Sequence, residues 1–364
     1  AYRPTTTNMG LWHEGSEIQM LTEKMIFVDT TATQFNLTES MDSEASQPSN
    51  ARSGPPRARR MSVPGDFADK DLHALHLPSK NILIVEGSVN NYKQGHNVFG
   101  SCNVPEQVLS AFKATHCKWC YEFSEQEKRR IEADEGMTLK RLDVGVNLAL
   151  PPDTPISRVL VELAHKMVDA GIDMSTYGYG ETVYRSQHSQ SSSHKFYDKA
   201  KQLYDTRGLP SNLPNRDAIM EFAKTVIRSE IVLRYPKMKV LEMTKPRDWT
   251  LAKLKAELVS AFDRLHLSGT VRAGLSALDL RDVKHMYRTT YRCWEHGDDL
   301  QVLLEPKAYK RQVAYFESIG FDITTPPPVS GEEIPLGDIF TLSNAVEPPP
   351  ELWGDDDDAE AVEC

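Results

Sequence analysis

The segment 139–150, LKRLDVGVNLAL, constrains the fold more than any other part of this chain because its apolar and polar residues alternate. From position 142 onward every even position is apolar, whereas Arg141, Asp143 and Asn147 stand at odd positions. Successive side chains of a β-strand point to opposite faces of its sheet. The pattern therefore predicts a strand with one face in the core and one polar face.

A helix is predicted directly after this strand. Thr154 is a suitable capping residue, and Pro155 is suited to the first helical position. Apolar residues then recur at helical spacing until Gly171, a residue type that often ends helices. The two elements together predict a βα unit.

Two further segments, SHKFYDK (193–199) and VIRSEIVLRY (226–235), also alternate. If both are strands, residues 193, 195, 197 and 199 of the first segment share one face, and Arg228, Glu230 and Arg234 share one face of the second. If all three strands join one sheet, one polar face collects functional side chains from each. These are Asp143, Asn147, Ser193, Lys195, Tyr197, Lys199, Arg228, Glu230 and Arg234.

The remaining pattern predicts an α+β fold with a helical C-terminal region. MIFVDT (25–30) is expected to be an edge strand, and NILIVEG (81–87) a buried strand. Three helices are expected later in the chain: one capped by Thr250 and ended by Gly269, one over about 276–296, and one that precedes Gly320.

Composition suggests five regions along the chain. A Ser-, Pro- and Arg-rich stretch predicts a disordered linker or insertion, and a Pro-rich acidic end predicts a disordered tail. The predicted regions are an N-terminal strand region (1–37), the insertion (38–66), a catalytic domain (67–249), a helical region (250–324) and the acidic tail (325–364).

The net charge of −10 is unevenly distributed. Residues 331–364 contain eleven acidic residues and no Lys or Arg, and without them 42 basic residues face 41 acidic ones. Residues 185–250 contain 13 Lys and Arg against 7 Asp and Glu. A central basic region with an acidic tail is compatible with nucleic-acid binding, although an ordinary solvated face would explain the same excess.

Membrane insertion and a disulfide framework are not expected. No apolar run approaches the roughly 18 residues that a membrane-spanning helix requires. The first residues lack the pattern of a signal peptide. Five cysteines in 364 residues indicate reduced thiols, so we expect a soluble intracellular protein.

The polar face has the residue types that cleave a DNA phosphodiester by transesterification. A tyrosine such as Tyr197 can attack phosphorus only if a neighbouring base, cation or metal activates it, because its free pKa is about 10. Lys195 and Lys199 flank Tyr197 and would favour its phenolate and bind phosphate. Asp143 and Glu230 are hard oxygen ligands suited to Mg²⁺ or Mn²⁺.

The same residues also have ordinary explanations. A tyrosine flanked by lysines is usually a surface residue, and the two carboxylates could simply pair with Arg141, Arg228 or Arg234. A second tyrosine, Tyr204, is interpreted as structural. The residues alone therefore leave a nuclease as one possibility among several.

Four segments in this order resemble the gene II/X family of replication proteins of filamentous phages and related plasmids. They are EGSVNNYKQGHNVFGS (86–101), TLKRLDVGVNLAL (138–150), VYRSQHSQSSSHKFYDK (183–199) and IRSEIVLR (227–234), with YKRQVAYFESIGFDI (309–323) as a further match. The resemblance implies a central antiparallel sheet with helices on one face. It also implies a site- and strand-specific endonuclease and ligase that initiates rolling-circle replication through a 5′-phosphotyrosine link.

The family's motifs fall on identifiable residues of this sequence. The resemblance implies Tyr197 as the nucleophile with Lys199 as a second catalytic residue, and Asp143 and Glu230 as ligands of Mg²⁺ or Mn²⁺. Independently of the family motifs, the basic side chains of the polar face are expected to bind DNA: Lys195, Arg141, Arg228 and Arg234. The sequence lacks the His-hydrophobic-His motif of many related nickases, so His96 is either an additional ligand or part of a turn.

Two alternatives remain at this point. The chain could bind origin DNA without catalysis, with the helices of 250–296 as the reading element. It could also be a structural or packaging protein. The expected partners of a replication initiator are origin DNA and the host helicase and polymerase, with no membrane, in the cytoplasm of a bacterial host.

Overall fold

A computed structural model describes most of the chain, and all structural statements below concern these residues. They are 21–38, 58–119, 123–152, 154–178, 180–205, 208–265, 267, 283–319, 321–327 and 334–353.

The centre of the fold is a nine-stranded antiparallel sheet in the order β2-β3-β4-β1-β5-β9-β8-β7-β6. In chain order the strands are β1 (Ile26–Asn36), β2 (Arg59–Val63), β3 (Leu72–Leu77), β4 (Ile82–Gly87), β5 (Met137–Ala149), β6 (Met174–Tyr177), β7 (Thr182–Arg185), β8 (Ser192–Asp198) and β9 (Val226–Arg234).

Twelve α-helices are found in the described residues. They are α1 (Val89–Gln94), α2 (Val104–Trp119), α3 (Glu125–Glu132), α4 (Ile156–Asp169), α5 (Lys199–Asp205), α6 (Arg216–Lys224), α7 (Tyr235–Val240), α8 (Leu251–Asp263), α9 (Arg288–Glu295), α10 (Leu300–Leu303), α11 (Pro306–Ser318) and α12 (Leu336–Ile339). None of them is both long and apolar enough to cross a membrane.

The two faces of the sheet differ in what covers them. On the face that we call the back, the even positions of β5 are buried in one apolar cluster with α2, α4 and α8. The opposite face, which we call the front, carries the odd positions of β5 and the even positions of β9. The predicted α+β fold, with a central antiparallel sheet and helices on one face, is therefore confirmed.

The strand prediction holds for the three segments that alternate. β5 pairs with β9, and β9 pairs with β8, so their polar side chains do share the front face. One residue departs from the expectation: β8 ends at Asp198, and Lys199 is the first residue of α5.

The prediction of an edge strand at 25–30 is wrong. β1 lies between β4 and β5 in the interior of the sheet. Its first residues Ile26, Phe27 and Val28 are all buried, so the strand has covered faces on both sides, which an edge strand would not need.

The predicted insertion at 38–66 is not wholly unstructured. Residues Arg59–Val63 form the edge strand β2, which pairs with β3. Edge strands commonly carry exposed charged residues, because these discourage pairing with another chain. The Arg-rich composition is therefore compatible with a strand at this position, and residues 39–57 lie outside the described part.

The predicted disordered tail from 325 onward is wrong for residues 334–353. This segment contains α12, and Ala345 bridges Leu148 at the end of β5. Its apolar residues are buried, which the Pro-rich, acidic composition did not reveal: Leu336, Ile339, Phe340, Leu342 and Leu352. Residues 354–364 lie outside the described part.

The helical C-terminal region is confirmed, with shorter helices than expected. Where one helix over 276–296 was predicted, the described part holds a 3-10 turn (His285–Tyr287) followed by α9. These elements and α11 share an aromatic cluster of their own, which includes Tyr291, Trp294 and Phe316.

Candidate active site

Three buried carboxylates meet on the front face. Asp29, Asp143 and Glu230 come from β1, β5 and β9, which are adjacent in the sheet. Each offers an oxygen atom, and these oxygens all lie within 4.8 Å of one another. The structure therefore brings together the two predicted ligands, Asp143 and Glu230, and adds a third carboxylate that sequence reasoning missed.

Asp29 reaches the cluster because β1 is irregular at this position. In the pairing of β1 with β5, Val28 lies opposite Val144 and Thr30 opposite Asp143, so Asp29 is an extra residue. Such a bulge redirects a side chain, and bulges are frequent beside active sites. A single Asp within the apolar run MIFVDT was the available signal, but no residue type in this run marks the bulge.

Helix α1 and the segment that follows it hold the bulge in place. The Asn90 side chain donates to the Val28 carbonyl (2.7 Å), and the Val28 amide donates to the Ser101 carbonyl (3.0 Å). A side chain at Gly100 would overlap Asn90, since an added Cβ would lie 2.3 Å from it. This explains part of the glycine- and asparagine-rich block at 86–101.

Glu230 is the centre of the hydrogen-bond network. The Tyr197 hydroxyl donates to Glu230 Oε1, and the Lys195 ammonium binds Glu230 Oε2. Arg228 Nη1 lies 3.6 Å from Glu230 Oε1. Burial alone would raise the pKa of Glu230, but Lys195, Arg228 and Lys199 outweigh it and lower the pKa to about 2. Glu230 is therefore a carboxylate at neutral pH.

Tyr197 is almost completely buried, with 6% of its surface exposed. The ammonium groups of Lys195 and Lys199 lie 5.1 Å and 6.0 Å from the centre of its ring. Burial, together with the negative charge of Glu230, raises the pKa of Tyr197 well above its ordinary value. The phenol is thus protonated in this arrangement of charges, and it donates a hydrogen bond to the Glu230 carboxylate.

Lys199 approaches the site from α5 rather than from β8. Its side chain is fully buried, and its ammonium donates to Asn97 (2.7 Å) and to Gln202 (2.8 Å). Burial and the charge of Arg228 lower its pKa to about 7. Because Asn97 also donates to Asp29, Lys199 is linked to the carboxylate cluster through one side chain.

Arg141 and Asp143 form a bidentate pair. Arg141 Nε and Nη2 lie 2.8 Å and 2.7 Å from the two oxygens of Asp143. Burial raises the pKa of Asp143 to about 6 despite this pair. Arg141 remains partly exposed and also lies 3.6 Å from Glu86 of β4, so it stands at the rim of the site.

Arg228 does not lie where a DNA-binding residue is expected, and this prediction is corrected. Its guanidinium is fully buried and donates to Asn147 (2.9 Å) and to the carbonyls of Asn97 (2.8 Å) and Val98 (2.6 Å). It also lies over the ring of Phe27, 4.2 Å from its centre. Arg228 therefore supports the site from below and cannot reach a DNA strand on the surface.

The two remaining predicted DNA contacts stay accessible. Arg234 ends β9 on the front face, partly exposed, and donates to Ser193 (3.2 Å). It lies opposite Arg141 in the sheet, so these two cations form a basic rim where β9 ends. Lys195 keeps 21% of its side chain exposed although it binds Glu230, and along β8 it lies between Tyr197 and this rim.

His96 is not a member of the carboxylate cluster. Its ring is buried, and Nδ1 faces the amide of Val98 (3.3 Å) within its own turn. Burial, followed by the charges of Lys199 and Arg228, lowers its pKa to about 3. Of the two roles considered for His96, the structure supports a part in the turn that carries Asn97.

The donor set of the cluster fits a small hard cation. Three carboxylates offer oxygen ligands of the kind that Mg²⁺ and Mn²⁺ prefer. Arg141 and Lys195 already pair with two of these carboxylates, so a cation would share them. The arrangement combines a protonated tyrosine, its proton acceptor and a candidate metal centre, which are the components of phosphoryl transfer.

A cleft of about 550 Å³ opens beside Tyr197. Its walls come from β6, β7 and α5, together with Gln301 of α10. The tyrosine therefore lies between the basic rim on one side and this cleft on the other.

Comparisons with known proteins found one family, one related protein and one solved structure that resemble parts of this chain. Residues 73–252 match the family described as the N-terminal domain of the replication-associated gene II protein of phages. The replication-associated gene II protein of Enterobacteria phage I2-2 is 22% identical over 249 residues, which cover 66% of this chain and 69% of that protein. A solved structure of a rolling-circle replication initiator protein from Geobacillus stearothermophilus is 15% identical with a TM-score of 0.30, over 69% of this chain and 89% of that one. The family match includes Asp143, Tyr197 and Glu230 but not Asp29.

Proposed function

The chain belongs, through residues 73–252, to the gene II protein N-terminal family of phage replication-associated proteins, and we propose that it initiates rolling-circle replication by nicking and rejoining one DNA strand at the origin. The observation that carries the proposal is the hydrogen bond from the Tyr197 hydroxyl to Glu230 beside Asp29 and Asp143. A tyrosine with a purely structural role would not require a hydrogen bond to a buried carboxylate, least of all to one that belongs to a cluster of three carboxylates.

Asp29, Asp143 and Glu230 would hold the divalent cation of this reaction, Mg²⁺ or Mn²⁺. The cation would supply positive charge that offsets the charge on the phosphoryl oxygens. Burial and the neighbouring Glu230 both raise the pKa of Asp29. A bound cation would counter this effect and favour the ionised form of Asp29.

The chemical step follows from the position of Tyr197. Its hydroxyl oxygen attacks phosphorus as the proton passes to Glu230, and the bond from phosphorus to the 3′ oxygen breaks. The 3′ oxygen leaves as a hydroxyl after it takes up the proton that Glu230 received, which restores the Glu230 carboxylate, and the 5′ phosphate stays on Tyr197. Attack by a free 3′ hydroxyl on this phosphotyrosine reverses the step and rejoins the strand.

The lysines have different parts in this proposal. Lys195 is partly exposed beside Tyr197, so it can contact the scissile phosphate directly. Lys199 is buried, and its positive charge would stabilise the phenolate of Tyr197. It also donates to Asn97, which in turn donates to Asp29, so Lys199 helps to position this carboxylate. Arg141 and Arg234 at the rim would contact phosphates further along the strand.

The test is nicking of a supercoiled plasmid that carries the origin, in the presence of Mg²⁺ or Mn²⁺. Wild-type protein should yield relaxed circles and a covalent adduct, in which mass spectrometry should locate DNA on Tyr197. Tyr197→Phe should lose both products and still bind DNA, whereas Tyr204→Phe, which alters a tyrosine that is 65% exposed on α5, should keep them. Nicking by Tyr197→Phe at the wild-type rate would overturn the assignment.

The proposed reaction has a DNA substrate and two host partner proteins. Origin DNA is the substrate, and the free 3′ end would be extended by a host polymerase after a host helicase opens the duplex. Binding of origin DNA without any adduct in the test above would instead favour a non-catalytic origin-binding protein.

A further inference from the structure

The cleft beside Tyr197 has features that the proposed nicking reaction does not use. It is large enough for one nucleotide base, with a volume of about 550 Å³. One of its walls is Tyr177, the last residue of β6, which is 71% exposed. A tyrosine ring so exposed is unusual in a described region where most aromatic rings pack into the three apolar clusters.

Tyr177 and Tyr197 lie in one row across the front face. Tyr177 is opposite Thr182 in β7, and Thr182 is opposite Tyr197 in β8, so all three side chains point to the same side. Two strand spacings separate the tyrosines, which corresponds to about 10 Å between their backbones. That distance is short enough for a base stacked on Tyr177 to belong to a nucleotide next to the scissile phosphate.

The charge of the cleft argues against a phosphate in it. Glu181, Asp198 and Asp205 line it together with one basic residue, Lys201, which pairs with Glu181 at 2.9 Å. The excess of negative charge would repel the DNA backbone. On the other side of Tyr197 stand the cations Lys195, Arg141 and Arg234, where a backbone would be attracted.

Carboxylates also select among bases. They accept hydrogen bonds and donate none, so they favour bases with an exocyclic amino group. Cytosine and adenine have such a group, whereas thymine has none. Gln202 and Gln301, which also line the cleft, can both donate and accept and would bind either class.

We propose that the cleft between β6, β7 and α5 binds one base of the single-stranded substrate, stacked on Tyr177, and prefers an amino-bearing base to thymine. The backbone of the same nucleotide runs over the cation side of Tyr197, and this places the phosphodiester at the hydroxyl. The inference rests on the proposed function, since the base is defined by its place next to the nick.

The test measures binding without chemistry, so that it is independent of nicking. Fluorescence anisotropy with the full chain and a chelator present would compare labelled oligomers of deoxycytidine and of thymidine, each about twelve nucleotides long. Loss of a stacking ring should weaken binding about fivefold to a hundredfold. Tyr177→Ala should show this loss for the cytidine oligomer, and Tyr177→Phe, which keeps the ring, should not.

Tyr204→Ala is the matched control, because Tyr204 is a similarly exposed tyrosine that is not among the cleft residues. It should bind as the wild type does. The dependence of affinity on salt should be unchanged in Tyr177→Ala, because a base contact releases no counterions. Asp205→Asn should reduce the preference for cytidine over thymidine by about threefold to tenfold.

Three results would overturn the inference. They are equal losses in Tyr177→Ala and Tyr204→Ala, a lower salt dependence in Tyr177→Ala, which would indicate a phosphate contact, and equal wild-type binding of the two oligomers. None of these three results changes what the nicking assay of Tyr197→Phe says about the catalytic role of Tyr197. Conversely, nicking by Tyr197→Phe would refute the catalytic proposal while the binding measurements still decide the role of Tyr177.

Discussion

The front and back faces of the sheet are built from the same strands and yet solve different physical problems. On the back, Leu142 and Val144 of β5 are fully buried against helices, where burial of apolar surface stabilises the fold. On the front, Asp143 stands between them in sequence and is buried just as deeply among charges. A buried charge is costly unless it is paired, so the front face gives up stability to concentrate reactive groups.

The difference shows that burial alone does not reveal function in this protein. Arg228 and Glu230 are as inaccessible as any core residue, but each has charged or carbonyl partners. What distinguishes the two faces is the partner of each side chain. Substitutions on opposite faces of one strand should therefore separate catalysis from stability.

The largest expected effect concerns Asp143. Asp143→Asn keeps the size of the side chain but removes one carboxylate of the candidate metal centre, and Arg141 can turn to solvent because it is partly exposed. We expect nicking to fall on the order of a hundredfold to a thousandfold, with a higher requirement for Mg²⁺ or Mn²⁺. The measurement is the nicking rate as a function of metal concentration.

The neighbouring substitution Leu142→Ala is the control for this prediction. It removes apolar volume on the back face and should lower the free energy of unfolding by about 2–5 kcal/mol. The nicking rate per folded molecule should stay within about threefold of wild type. If Leu142→Ala impaired nicking as strongly as Asp143→Asn at a temperature where both are folded, the separation of the two faces would be wrong.

A smaller effect is expected at Gly145, where the front face is closely packed. An added Cβ would lie 2.3 Å from the ring of Phe27, and this ring supports the guanidinium of Arg228. Gly145→Ala should cost about 1–3 kcal/mol of stability and displace Arg228. Thermal unfolding measures the loss of stability, and a lower nicking rate of the folded variant would indicate the displacement of Arg228.

Gly171→Ala is the control for Gly145→Ala, because it tests whether any glycine-to-alanine substitution would weaken nicking. Gly171 has nothing within 4 Å of an added Cβ, but its φ of +67° disfavours a side chain. It should cost about 1 kcal/mol through backbone strain and leave nicking unchanged. Equal nicking defects in the two variants would show that Gly145 has no special relation to the site.

The alternating segments made the sheet and its polar face predictable, because a period of two residues fixes which side chains share a face. Asp143, Tyr197 and Glu230 could be grouped in this way from residue types alone. Asp29 could not, because a bulge breaks the period and leaves no trace in the residue types. Lys199 was placed on the strand because the sequence does not mark where β8 gives way to α5.

Long-range packing was the other part that the sequence did not reveal. Residues 334–353 have the composition of a disordered tail, but Leu352 packs in the same cluster as Val98 and Phe99. The burial of this segment depends on a surface formed by residues far earlier in the chain. Local propensity contains no information about such a surface.

The back face also contains a buried histidine, His194, and this residue gives the smallest expected effect. It is buried beside Phe196 and Phe262, and its Nε2 atom lies 2.8 Å from the Ser229 hydroxyl. Burial, with the charges of Arg264 and Arg185, lowers its pKa to about 3. Below about pH 6.5 the unfolded chain binds a proton at this histidine while the folded chain does not, so stability is lost as the pH falls through this window.

The expected slope is about 1.4 kcal/mol of lost stability per pH unit for one such histidine. His194→Phe should remove this contribution, so urea unfolding between about pH 6 and pH 4 should give a flatter curve in which the similar contribution of His96 remains. His296→Phe, at an exposed histidine of the C-terminal region, is the matched control for the substitution itself. If His194→Phe retains the wild-type slope, the acid sensitivity arises at the other buried histidines, His96 and His165, whose pKa values burial also lowers.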